Sequence, residues 1–159
     1  MSATPHKAKT SESVHRQYLR RTRTSAKPTV VIAEDHDDTR EMLGMLYKIW
    51  GCRVVEARNG LEAVEAASRE QPALILMDGS LPYLDGLGAT RRIRQNRLLR
   101  DIKIIALNGW GTASYTAEAL AAGSDDCLVK PLDLQRLWTQ LNDVRKALGL
   151  PLHRQYHLN

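Results

Sequence analysis

Between Thr29 and Leu148 the chain alternates short apolar runs with longer stretches whose apolar residues recur every three to four positions. The short runs fall at 30–33, 53–57, 74–77, 102–107 and 127–129. They are too brief for ordinary helices, and the third, Leu74-Ile75-Leu76-Met77, has no polar alternation, which suits a parallel strand covered on both faces. The stretches between them read as helices. Met42, Leu43, Leu46, Ile49 and Trp50 share one helical face, opened by the box-like pair Asp38 and Glu41 and stopped by Gly51. Asn59 with Glu62 repeats that start before Leu61, Val64 and Ala67, and Pro72 bounds the far end. A third helix is expected from about 88 to 97, after a turn that contains Pro82 and the pair Asp85-Gly86. An Ala-rich fourth covers 112–122 with Gly123 as its stop, and Asp133 caps a fifth. In that last helix Leu134, Leu137, Trp138, Leu141, Val144 and Leu148 hold a 3.6-residue period.

Five strands alternating with five helices predict an α/β fold with a doubly wound parallel sheet, because parallel neighbours need crossovers and each helix must bury its stripe. The expected strand order is 2-1-3-4-5. In that order the loops after strands one and three part at a switch point, and the crevice between them is where such sheets place ligands. The residues at those two strand ends are Glu34-Asp35 and Asp78, the latter followed by Gly79, Ser80 and the Pro82 turn. Three carboxylates brought together resist ionising unless a cation relieves them, and an all-oxygen cluster suits a hard ion such as Mg²⁺. Lys130, at the end of the fifth strand, adds a second positive charge. A carboxylate nucleophile, a site for a metal and a lysine are the parts that phosphoryl acceptance requires.

Composition refines this picture. At 159 residues and 17.9 kDa the chain is expected to form one domain, over 29–149. No apolar run approaches the roughly 20 residues that cross a membrane, and no apolar segment follows the basic amino-terminal stretch, so a cytoplasmic protein is expected. Cys52 and Cys127 have no metal-ligand spacing and read as reduced core thiols. The net charge of +5 is unevenly placed: residues 1–28 hold seven bases (Lys7, Lys9, Arg16, Arg20, Arg21, Arg23 and Lys27) and one acid, Glu12. With few sizeable apolar residues that stretch is expected to be a disordered basic tail, and 150–159 a flexible end. The tail has neither interleaved aromatics nor a groove-reading helix pattern, which argues against nucleic acid as a partner.

The acidic pair Glu34-Asp35, the segment MDGSLPYLDG around Asp78 and the segment GSDDCLVKPLDL around Lys130 together resemble the receiver domain of two-component response regulators, over about 29–148. The resemblance implies a flavodoxin-like (βα)5 fold. It implies that Asp78 accepts a phosphoryl group from a phosphohistidine on a histidine kinase or histidine phosphotransfer protein. It further implies that Asp35, Asp78 and the main-chain carbonyl of Ser80 hold Mg²⁺, with Glu34 acting mainly through water, and that Lys130 contacts the phosphoryl group and precedes a cis proline. A stand-alone receiver of this kind signals to a downstream protein by contact. It is a phosphoacceptor able to catalyse its own phosphorylation and dephosphorylation, not a conventional enzyme.

Two positions depart from the family pattern. Asn108 stands at the end of strand four where the family has Thr or Ser to bind the phosphoryl group, and it is taken here as the corresponding site residue. Cys127 stands where the family has Tyr or Phe, three residues before the lysine. These departures keep open an alternative, a phosphorylation-independent binding module on the same fold. His36 is read as structural or solvated. Trp110 is placed either over the cleft or in simple packing. Arg91, Arg92, Arg94, Arg97 and Arg100 are read as a solvated face.

Overall fold

The computed structural model describes residues 27–152. The expectations for the basic tail and for the extreme carboxyl end fall largely outside them. Five strands form one parallel sheet: β1 (Thr29–Ala33), β2 (Arg53–Ala57), β3 (Leu74–Asp78), β4 (Lys103–Asn108) and β5 (Asp126–Val129), in the order β2-β1-β3-β4-β5. This is the flavodoxin-like (βα)5 arrangement expected from the sequence. The connecting helices are α1 (Asp37–Ile49), α2 (Gly60–Glu70), α3 (Gly86–Gln95), α4 (Ala113–Ala122) and α5 (Leu134–Ala147).

Burial follows from the pleat, which sends alternate residues of a strand to opposite faces. Val30, Ile32, Leu74, Leu76, Ile105 and Leu107 pack with Leu43 and Tyr47 of α1 and with Leu137 and Leu141 of α5. Val31, Ala33, Ile75, Met77 and Ile104 face the other way, onto Ala63, Ala66 and Ala67 of α2 and Ala89 and Ile93 of α3. All five residues of β3 are buried, so this strand has no solvent-facing side. Each aliphatic side chain so covered contributes about 1.5–3 kcal/mol. A smaller group, Ala106, Tyr115, Ala119 and Cys127, seats α4.

Several expectations are corrected in detail. α1 does not start on an Asp38 cap: its N-cap is His36, which makes no side-chain cap bond, while Asp37 in the first turn pairs with Arg40. α3 begins earlier than expected, because the Asp85 carboxylate accepts from Gly88 N at 2.7 Å and so makes Asp85 the N-cap instead of part of a free turn. It also ends at Gln95, with a short 3-10 turn over Arg97–Leu99. Arg94 is no member of a solvated face. Its guanidinium donates to the carbonyls of Gly123 (2.8 Å) and Ile102 (2.7 Å) and pairs with Asp125 (2.9 Å), tying α3 to the ends of α4 and of the loop before β4. Asn59 does cap α2, accepting from Glu62 N at 2.8 Å, but Glu62 reaches back to Arg58 N instead of to Asn59 itself. Cys52 and Cys127 are both free and buried. Among the described residues no helix is long and apolar enough to cross a membrane.

Candidate functional site

The sheet's order decides what meets at its carboxyl edge. Ala33 pairs with Met77, so the next residues, Glu34 and Asp78, leave the sheet side by side. Asn108 pairs with Val129 at the end of β4 and β5, and Lys130 follows directly. The chain turns to α1 on one face after β1 and to α3 on the other after β3, which opens the crevice.

Glu34 is fully buried and Asp78 is 3% exposed. Lys130 reaches across between them, with Nζ 2.8 Å from Glu34 Oε2 and 3.1 Å from Asp78 Oδ1. Burial pushes the Asp78 carboxyl above its ordinary range and the charge of Glu34 adds to the effect, which the Lys130 ammonium partly offsets. Burial works against the Lys130 ammonium too, yet the hydrogen bond it donates to Glu34 and the charges of Asp78 and Glu34 carry its pKa above the usual value. The Lys130-Pro131 peptide is cis.

The β3–α3 loop is held close against Asp78. Gly86 N donates to Gly79 O at 3.1 Å, and a Cβ built on Gly86 would fall 2.2 Å from the Asp78 carbonyl oxygen, so only glycine fits there. Ser80 lies exposed in this loop, two residues past Asp78.

Two residues that the sequence reading did not place at the site lie beside it: His36, read there as structural or solvated, and Arg40, which it did not consider. His36 Nδ1 is 3.2 Å from both Glu34 Oε1 and Asp35 Oδ1, although its ring is mostly exposed. The hydrogen bond with Glu34, followed by the charge of Asp35, raises the imidazole pKa. Glu34, Asp35 and His36 can together offer ligand atoms within 4.8 Å of one another. Asp35 Oδ1 is buried with only the His36 ring nitrogen beside it, so it has capacity left for a cation. Arg40, also buried, donates to the Glu34 carbonyl at 3.0 Å and to Glu56 at 3.3 Å, and thereby fixes the backbone from which Glu34 projects. Its position on the inner face of α1 gave a weak signal, since a lone arginine in a helix more often faces solvent.

Asn108 is where the sequence placed it but is turned to another task. Its Oδ1 accepts from Trp110 N at 3.0 Å and from Gly111 N at 2.9 Å, and its Nδ2 donates to Thr112 O at 3.0 Å. Fully buried, the carboxamide closes the β4–α4 loop on itself. Thr116 Oγ1 then donates to Cys127 Sγ at 3.6 Å, so Cys127 is joined to the same neighbourhood.

A parallel five-stranded sheet with an acidic crevice at its switch point and a lysine across it describes a phosphoacceptor signalling module. The response regulator receiver domain matches residues 30–142, and the chain belongs to that family. It is 31% identical over 121 residues to the phosphate regulon transcriptional regulatory protein PhoB of Pseudomonas aeruginosa, covering 76% of this chain and 53% of the relative. The chain therefore spans about half the length of PhoB. Over 121 residues it is also 31% identical to the polar-differentiation response regulator DivK of Brucella anthropi, where the match covers 76% of this chain and 96% of DivK. Among solved structures it resembles the receiver domain of the sensor histidine kinase PA1611 from Pseudomonas aeruginosa, which has a magnesium ion coordinated in its active site cleft. That similarity has a TM-score of 0.68 and 31% identity, and covers 77% of this chain and 98% of that one.

Proposed function

We propose that Asp78 is the phosphoacceptor. One observation carries this reading: a carboxylate buried at the carboxyl end of the central strand, with its oxygen 3.1 Å from a lysine ammonium. In the transfer an Asp78 oxygen attacks the phosphorus of a phosphohistidine, an acyl phosphate O–P bond forms, and the P–N bond breaks as the imidazole departs with a proton. The donor is a histidine kinase or a histidine phosphotransfer protein, and the modified domain acts on a downstream protein by contact. Lys130 Nζ stands where negative charge accumulates on the acceptor side and neutralises it. Arg40 holds Glu34 in place, and Glu34 in turn orients Lys130.

The residues present fit Mg²⁺, since the under-coordinated Asp35 Oδ1 and the buried acids form an oxygen-rich set short of positive charge. Glu34, Asp35, Asp78 and the Ser80 carbonyl would hold the ion. When bound, Mg²⁺ supplies charge neutralisation for acceptor and phosphoryl oxygens. The free thiols of Cys52 and Cys127 suit a cytoplasmic setting.

The test is labelling by acetyl phosphate or a phosphohistidine donor in the presence of Mg²⁺, with Asp78→Asn as the comparison. Label on the wild type alone supports the proposal, and equal label on both rejects it. A second reading, binding that ignores phosphorylation, is favoured by the closed β4–α4 loop. It predicts partner affinity unchanged by beryllofluoride.

A further inference from the structure

Beside Asp78 the chain leaves a space that an aromatic residue of another element fills. A Cβ built on Gly79 would lie 2.3 Å from the Tyr115 hydroxyl oxygen, 2.6 Å from its Cζ and 2.8 Å from Trp110 Cζ3. Any side chain at position 79 would drive these rings away, so glycine is what admits the phenol to the residue next to the acceptor. Tyr115 sits in the first turn of α4 and is buried among Ala106, Ala119 and Cys127. Trp110 packs on it with ring centroids 4.9 Å apart.

The hydroxyl is carried on a fixed mount. Thr112 caps α4 by accepting from Tyr115 N at 3.3 Å, and Asn108 fastens the preceding loop at Trp110, Gly111 and Thr112. Burial foremost, then the charges of Cys127 and Asp78, push the phenol pKa up to about 12, so the group is a neutral O–H donor at neutral pH.

A phosphoryl group on Asp78 presents three terminal oxygens. Lys130 and a cation can serve two of them. The Asn108 carboxamide has both ends committed to its own loop and does not serve the third. Resting on the acceptor reading above, we propose that Tyr115 is a phosphoryl-contacting residue, its hydroxyl donating a hydrogen bond to a terminal oxygen of phosphorylated Asp78, through the opening that Gly79 provides.

The experiment titrates the full chain first with Mg²⁺ alone and then with beryllofluoride in saturating Mg²⁺, by calorimetry, for wild type, Tyr115→Phe and Gly79→Ala. Removing one hydrogen bond to a charged group is expected to weaken beryllofluoride binding about tenfold in Tyr115→Phe while Mg²⁺ affinity stays within about twofold. Gly79→Ala, which keeps the hydroxyl but displaces the ring, is expected to lose a similar factor, and it carries the test if Tyr115→Phe does not fold. Beryllofluoride binding by either folded variant within twofold of wild type overturns this inference and leaves the acceptor reading standing. Parallel loss of Mg²⁺ affinity would make Tyr115 merely structural and also overturns it. No beryllofluoride binding by the wild type overturns both readings.

Discussion

The two sides of the cleft are built on different principles. On the β1, β3 and β5 side, Glu34, Asp78 and Lys130 are buried or half-buried charges that face one another within 2.8–3.1 Å. On the β4–α4 side, Asn108, Thr112, Thr116 and Cys127 are polar groups joined by hydrogen bonds within the β4–α4 loop, the start of α4 and the strand beside it. The first side is under electrostatic tension, with more carboxylate than the one lysine balances. The second is satisfied. In this chain the facing charges and the β4–α4 loop are thus kept apart, and the loop is fastened from inside.

The largest break in this contrast comes from Lys130→Ala. It leaves Glu34 and Asp78 facing each other without their cation and is expected to lower stability by about 3 kcal/mol in metal-free buffer, with part of the loss recovered on adding Mg²⁺. Urea unfolding with and without the ion checks this. On the other side, Asn108→Ala orphans the Trp110 and Gly111 N–H groups and is expected to cost about 2 kcal/mol. Unlike the lysine variant it leaves Mg²⁺ affinity unchanged. Faster hydrogen exchange at those two amides is the confirming measurement.

The smallest effect sharpens the idea of tension. Because burial and Glu34 hold the Asp78 pKa above its ordinary value, the folded state binds that proton more tightly than the unfolded chain does. Its stabilising contribution is thus present at low pH and is lost as pH rises through the raised pKa. At pH 7 without metal, Asp78→Asn is expected to be more stable than wild type by about 1 kcal/mol, the gap closing as pH falls toward about 4. Thermal melts across that range decide the sign.

The sheet and its order were legible because each buried strand and each helical stripe announces itself in the periodicity, and because Gly51, Pro72 and Gly123 punctuate them. Glu34, Asp35, Asp78 and Lys130 were legible because strand ends in this topology converge. What the sequence hid depends on where side chains turn. Arg94 was misread because its main partners are carbonyls, which leave no trace in residue type. Asn108 occupies the expected strand end, but only the loop path shows that its amide folds back. Tyr115 reaches Gly79, beside Asp78, across a contact between a helix start and a strand end that local spacing does not record, whereas His36 meets Glu34 and Asp35 as their near neighbour in sequence. The Asp85-Gly86 pair reads equally as turn or as helix start until the carboxylate is seen to meet Gly88 N.

The most direct test of the account is chemical trapping of the acyl phosphate. The protein is phosphorylated with acetyl phosphate and Mg²⁺, reduced with borohydride, digested and mapped by mass spectrometry. Reduction of the modified aspartate at position 78 to homoserine is the predicted result. Homoserine at another aspartate, or none under conditions that modify a known receiver domain, would contradict it.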